Sequence, residues 1–123
     1  MVSILFSCNS EISNFEEADR QAIIAPDYSG IVIPPNIAPM NFKILEPGSE
    51  YEVRAFVHKE KPIVIRSKSP VIQFGLKTWR ALLQEGKGAD IFMEIFVRGN
   101  DKSWKKYQTL SNHISNESID SHL

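Results

Sequence analysis

Residues 26–44 constrain the fold more than any other stretch, because Pro26, Pro34, Pro35 and Pro39 fall there among apolar and small side chains. Each proline fixes its own φ, removes a backbone donor and pushes the preceding residue toward extended geometry. A helix is excluded, and the stretch is expected to run extended along a sheet edge, where a missing donor is tolerated. It holds no pair of groups able to act as acid and base, so its role is architectural. The folded domain is expected to begin here.

Beyond Met40 the chain reads as short strands separated by turn signals. Residues 41–46 suggest a strand with Phe42 and Ile44, and Leu45 beside them, facing inward. Pro47-Gly48-Ser49 then reverses the chain. Over residues 50–58, Tyr51, Val53, Ala55 and Val57 alternate with Glu52, Arg54, Phe56 and His58, the pattern of a half-buried antiparallel strand. Lys59-Glu60-Lys61-Pro62 makes a turn, residues 63–66 are rich in β-branched side chains, and Ser67-Lys68-Ser69-Pro70 breaks again before a short strand over 71–74.

One helix interrupts the series, over residues 76–85. Leu76, Trp79 and Leu83 have the spacing of one helical face, with Gly75 as N-cap and Gly86 where a left-handed residue often closes a helix. A helix this short depends on tertiary packing, so Trp79 is expected to plug one end of the core. The most apolar strand comes next, over 90–98, with Ile91, Met93, Ile95 and Val97 on one face and Phe92, Glu94, Phe96 and Arg98 on the other. Gly99-Asn100-Asp101-Lys102 turns the chain into a returning strand over 104–114, on which Leu110 and Ile114 share a face. The expected fold class is all-β: an immunoglobulin/fibronectin-like antiparallel β-sandwich with one short helix at 76–85. The expected organisation is a leader and polar tether over 1–25, the sandwich over 26–115 and a polar tail, a truncated linker, over 116–123.

Composition narrows the function classes. The chain has 123 residues, enough for one domain with its own core. Its formal charge of −1 provides no broad basic field for nucleic acid. One cysteine excludes an internal disulfide, a Cys-His zinc cluster and a haem-attachment motif. His58, His113 and His122 are far apart in sequence and read as solvated or partly buried imidazoles, so no metal site and no cofactor is expected. No Gly-x-Ser-x-Gly turn or matched acid and base occurs, so the chain reads as a non-enzyme. Trp104, Lys105, Lys106 and Tyr107, with Lys102, interleave aromatic and basic groups at one hairpin. They form a candidate ligand surface for a glycan or peptide, weighed against cross-strand packing and lysine protection of a sheet edge.

Leu5-Phe6-Ser7-Cys8 resembles the lipobox of bacterial lipoproteins, in which the cysteine becomes the acylated N-terminus of the mature protein. Only seven residues precede Cys8 and none is basic, which an upstream start codon would explain. Acylation at Cys8 by more than one chain would anchor the protein stably to a membrane. Residues 9–20 are polar and acidic apart from Ile12 and Phe15, as expected of a solvated tether.

The stretch 26–42, together with Phe74-Gly75-Leu76-Lys77-Thr78-Trp79-Arg80-Ala81-Leu82-Leu83, Lys87-Gly88 and Trp104-Lys105-Lys106-Tyr107, resembles the N-terminal region of a family of bacterial envelope proteins. In that family a β-rich module precedes a haem-type Cys-x-x-Cys-His segment and a TolB or WD40-like propeller. The resemblance implies a lipoprotein of the cell envelope, facing the periplasm or the cell surface. It also implies a spacer or docking role toward a haem-bearing or propeller partner, of which this chain would be an N-terminal fragment. This sequence lacks the haem motif and the propeller, so no ligand or catalytic residue is carried over.

Overall fold

The structure, a computed structural model, describes residues 12–117. In chain order its elements are β1 (Phe15–Glu17), β2 (Ile24–Ala25), β3 (Val32–Ile33), β4 (Phe42–Ile44), β5 (Glu50–Phe56), β6 (Ile63–Ser67), β7 (Val71–Ile72), α1 (Leu76–Glu85), β8 (Asp90–Arg98), β9 (Trp104–Lys106) and β10 (Leu110–Ile114). They form a seven-stranded sheet and a three-stranded sheet of order β2-β4-β7. In the larger sheet β6, β5 and β8 run side by side, and β9 and β10 succeed one another along the far side of β8. β1 then lies beside β9 and β3 beside β10.

The fold is the all-β sandwich that the strand pattern implies. Ile24, Phe42, Ile44 and Ile72 of the small sheet share one core with Val53, Ala55, Ile91, Met93, Ile95, Leu110 and Ile114 of the large one. Alternation explains the inner faces: Tyr51, Val53 and Ala55 of β5 and Ile91, Met93, Ile95 and Val97 of β8 are all buried. The expected antiparallel arrangement holds in the interior, but β1–β9 and β3–β10 are parallel pairs at the edge. β3 belongs to the proline-rich stretch and, among the described strands, pairs with β10 alone, so that part borders the larger sheet, whereas the end of the stretch, Phe42–Ile44, is the central strand of the smaller one and is paired on both sides.

Four expectations are corrected. Residues 12–25 are not a free tether: they contribute β1 and β2, and Ile12, Ala22 and Ile24 are buried. The pairing of β1 with β9 supplies backbone partners that a three-residue strand lacks alone. Leu45 is 46% exposed and Leu76 is 48% exposed. The inward-facing side chains beside them are those of Ile44 and Glu46 and, on α1, Trp79, Leu82 and Leu83. Gly86 has φ −98°, outside the left-handed region. Crowding explains it better, because a Cβ there would lie 2.5 Å from Val57 Cγ2 and 2.8 Å from Ile114 Cδ1.

The returning strand is broken rather than continuous. Between the pairs Phe96↔Lys106 and Met93↔Leu110, two residues of β8 face three residues, 107–109. This is a bulge, and the extra residue inverts the alternation beyond it. Tyr107 and Leu110 therefore both join the core. Trp79 does so too, fully buried, with its indole Nε1–H donating to the Ile37 carbonyl at 3.2 Å.

Candidate functional site

The outer face of the larger sheet collects the side chains that alternation turns away from the core. Register sets Arg66, Glu52, Phe96, Lys106 and Glu17 in one row across β6, β5, β8, β9 and β1. A neighbouring row holds Glu50, Arg98, Trp104 and Phe15. Glu52 is only 2% exposed. Its carboxylate accepts from Arg54 Nε at 2.7 Å on one oxygen and from Arg66 Nε at 2.7 Å and Nη2 at 2.6 Å on the other. Two guanidiniums on one carboxylate satisfy its lone pairs and leave a net positive centre.

Aromatic rings lie against the cations of this face. Phe15 meets Phe96 edge-on at 5.6 Å, and Arg54 lies 5.0 Å above the Phe96 ring. Arg66 and Arg98 approach Trp104 at 5.3 and 5.8 Å. Lys106 pairs with Glu94 at 3.3 Å and sits 5.7 Å from the Phe15 ring. Beside these groups is a groove of about 250 Å³ lined by Ile12, Phe15, Arg54, Phe56, Lys59, Pro62, Glu94, Phe96 and Lys106. An apolar floor with a cationic rim suits an anionic or partly apolar partner.

A second hollow, of about 430 Å³, lies on the other side of β9, among Glu16, Arg20, Glu46, Pro47, Val97, Asp101, Ser103, Lys105 and Tyr107. Glu46 is its centre, 5% exposed. Arg20 donates to both carboxylate oxygens at 2.7 and 2.8 Å, the Ile23 N–H donates at 2.9 Å and the Tyr107 hydroxyl at 3.3 Å. The Arg20 hydrogen bonds hold the Glu46 carboxyl below its ordinary pKa against the opposing effect of burial. Burial, followed by the charge of Glu46, raises the Tyr107 phenol. The Ser103 N–H and hydroxyl lower Asp101. This arrangement fastens the N-terminal arm to the β4–β5 turn, with every oxygen of Glu46 engaged.

The hairpin surface expected from Trp104, Lys105, Lys106 and Tyr107 is not one surface. Trp104 and Lys106 pair with Arg98 and Phe96 on the outer side, while Lys105 pairs with Val97 on the inner side. Tyr107 follows Lys105 inward and is buried, so it is not an exposed platform for a sugar ring. Strand alternation, which separates neighbours in sequence, is the reason. Cys8 and His122 lie outside the described residues. His113 is exposed, with Nδ1 2.8 Å from Asp90 Oδ1, and His58 is exposed just beyond the end of β5. Among the described residues no three His, Cys, Asp or Glu side chains converge on a metal position.

Sequence reasoning missed Arg20, Glu46, Glu52 and Phe15. Glu52 and Arg54 carry a partial signal, since opposite charges two apart on a strand share a face. Arg20 and Glu46 carry none, because only the fold brings them together. No protein-family model matches the chain, and no curated protein does.

Proposed function

We propose that this chain is a non-catalytic docking module of a bacterial envelope lipoprotein. It is anchored through acylated Cys8, faces the periplasm or cell surface, and serves a haem-bearing or propeller partner on the same or a separate polypeptide. The observation that carries this reading is the fastening of the N-terminal arm. Ile12 is buried, Phe15 packs on Phe96, β1 pairs with β9 and Arg20 clamps Glu46. Cleavage before Cys8 leaves every one of these contacts in place.

The same fastening favours docking over spacing. Residues 9–11 alone separate Cys8 from Ile12. Fully extended, that stretch reaches at most about 14 Å. A lipid on Cys8 would therefore hold the domain against the headgroups, with a short leash in place of a long tether. The paired state of Glu46 and Glu94, one in each hollow, supports a structural use of those two acids.

The test is metabolic labelling of cells expressing the full reading frame with an alkyne fatty acid, beside Cys8→Ala. Label on the wild-type chain and its loss in the variant are expected, with the wild type in the membrane fraction. An unlabelled soluble protein that retains Met1 would overturn the reading. Glycan binding by Trp104 and Tyr107 together is not carried forward, since Tyr107 lies inside. Peptide binding is, at a different place.

A further inference from the structure

The larger sheet has two edges, and they are built differently. One is divided between β1 and β3, of three and two residues, with Pro34 and Pro35 directly after β3. Short strands and prolines are the usual devices that prevent another chain from pairing there. The other edge is β6, five continuous residues, Ile-Val-Ile-Arg-Ser, preceded by Pro62 but with neither proline nor glycine among them, and longer than β1 or β3. β6 pairs with β5 on one side, and no described strand pairs with its other side. Ile63 and Ile65 pack toward the core, Val64 is 52% exposed, and Arg66 is drawn to Glu52.

Charge identifies the occupant. Residues 59–68 carry Lys59, Lys61, Arg66 and Lys68 against Glu60 alone, in a chain whose net charge is −1. Lys59, Lys61 and Lys68 are exposed, and none is in an ion pair among the described residues. A second copy pairing antiparallel about Ile65 would set Lys68 opposite Pro62 and next to the other copy's Lys61, at both ends. In that register like charges oppose the pairing. An acidic strand meets the opposite situation.

We propose that β6 is a docking edge on which an extended acidic segment of a partner protein adds as a further strand. Main-chain hydrogen bonds along the free side of β6 hold it, and carboxylates meet Lys61 and Lys68, while Arg66 stays on Glu52. The proposal rests on the reading of the chain as a docking module and is independent of the lipid on Cys8.

The test is an amide NMR titration of the full chain, carrying Cys8→Ser for solubility. The probes are a short peptide alternating glutamate and valine and its lysine–valine counterpart. The acidic peptide is expected to shift and protect the amides of residues 63–67, more weakly as salt rises. Lys61→Glu with Lys68→Glu, at exposed positions that leave the fold intact by circular dichroism, is expected to weaken it roughly tenfold or more. Equal binding of the lysine peptide would overturn the proposal, as would absence of shifts in residues 63–67. Shifts confined to Phe15, Phe96 and Trp104 would overturn the edge while leaving the docking reading standing. Concentration-dependent dimerisation through β6 would replace the acidic segment with a second copy.

Discussion

Replacing Glu46 with alanine is expected to destabilise the fold by about 2–4 kcal/mol. The substitution leaves the Ile23 N–H and the Tyr107 hydroxyl facing the space that the carboxylate filled. A buried donor left without a partner costs about 1–3 kcal/mol, and the 3.3 Å contact of Tyr107 belongs at the low end. The ion pair itself adds under about 1 kcal/mol, because the Arg20 side chain is half exposed and water already screens it. Glu46→Gln separates charge from shape. The folded-state pKa of Glu46 is depressed, so its contribution is fully present above the unfolded value of about 4.3 and is lost as pH falls through the folded value. The gap between wild type and Glu46→Gln should therefore be constant from neutral pH to about pH 5 and close as acid protonates the carboxyl. Urea unfolding at a series of pH values measures it. A gap that does not change with pH would refute the assignment of the effect to ionised Glu46. So would a loss below about 0.5 kcal/mol for Glu46→Ala, since surface changes fall within that range.

The remaining predictions concern packing and the hairpin. Gly86→Ala should cost about 1–3 kcal/mol through overpacking against Val57 and Ile114; an unchanged urea midpoint would contradict the crowding read at that position. Tyr107→Ala should lower stability by several kcal/mol and Trp104→Ala by about 1 kcal/mol, since one ring is in the core and the other lies half-buried beneath guanidiniums; equal thermal midpoints for the two variants would contradict it.

Arg20 and Glu46 join residues 26 apart, and Tyr107 and Glu46 join residues 61 apart, so the clamp closes the N-terminal arm onto both the β4–β5 turn and the bulge after β9. Loosening it would free the arm that leads back to Cys8.

Local chemistry was enough to predict the strands at 50–58 and 90–98, the turns at 47–49 and 99–102, and the helix at 76–85. Period-two alternation, proline and glycine torsions and a helical stripe act over a few residues, and so are visible without any partner. The inner faces of β5 and β8 came from the same alternation. Residues 12–25 were opaque because a three-residue strand owes its existence to β9, far along the chain. The bulge at 107–109 was opaque because the register of β9 and β10 is set by β8. The burial of Glu46 and Glu52 was opaque, since it depends on which distant side chains close over a carboxylate. Alternation fixes which side of a strand a residue takes; whether that side meets water, a guanidinium or an aromatic ring is decided by the segment that folds across it.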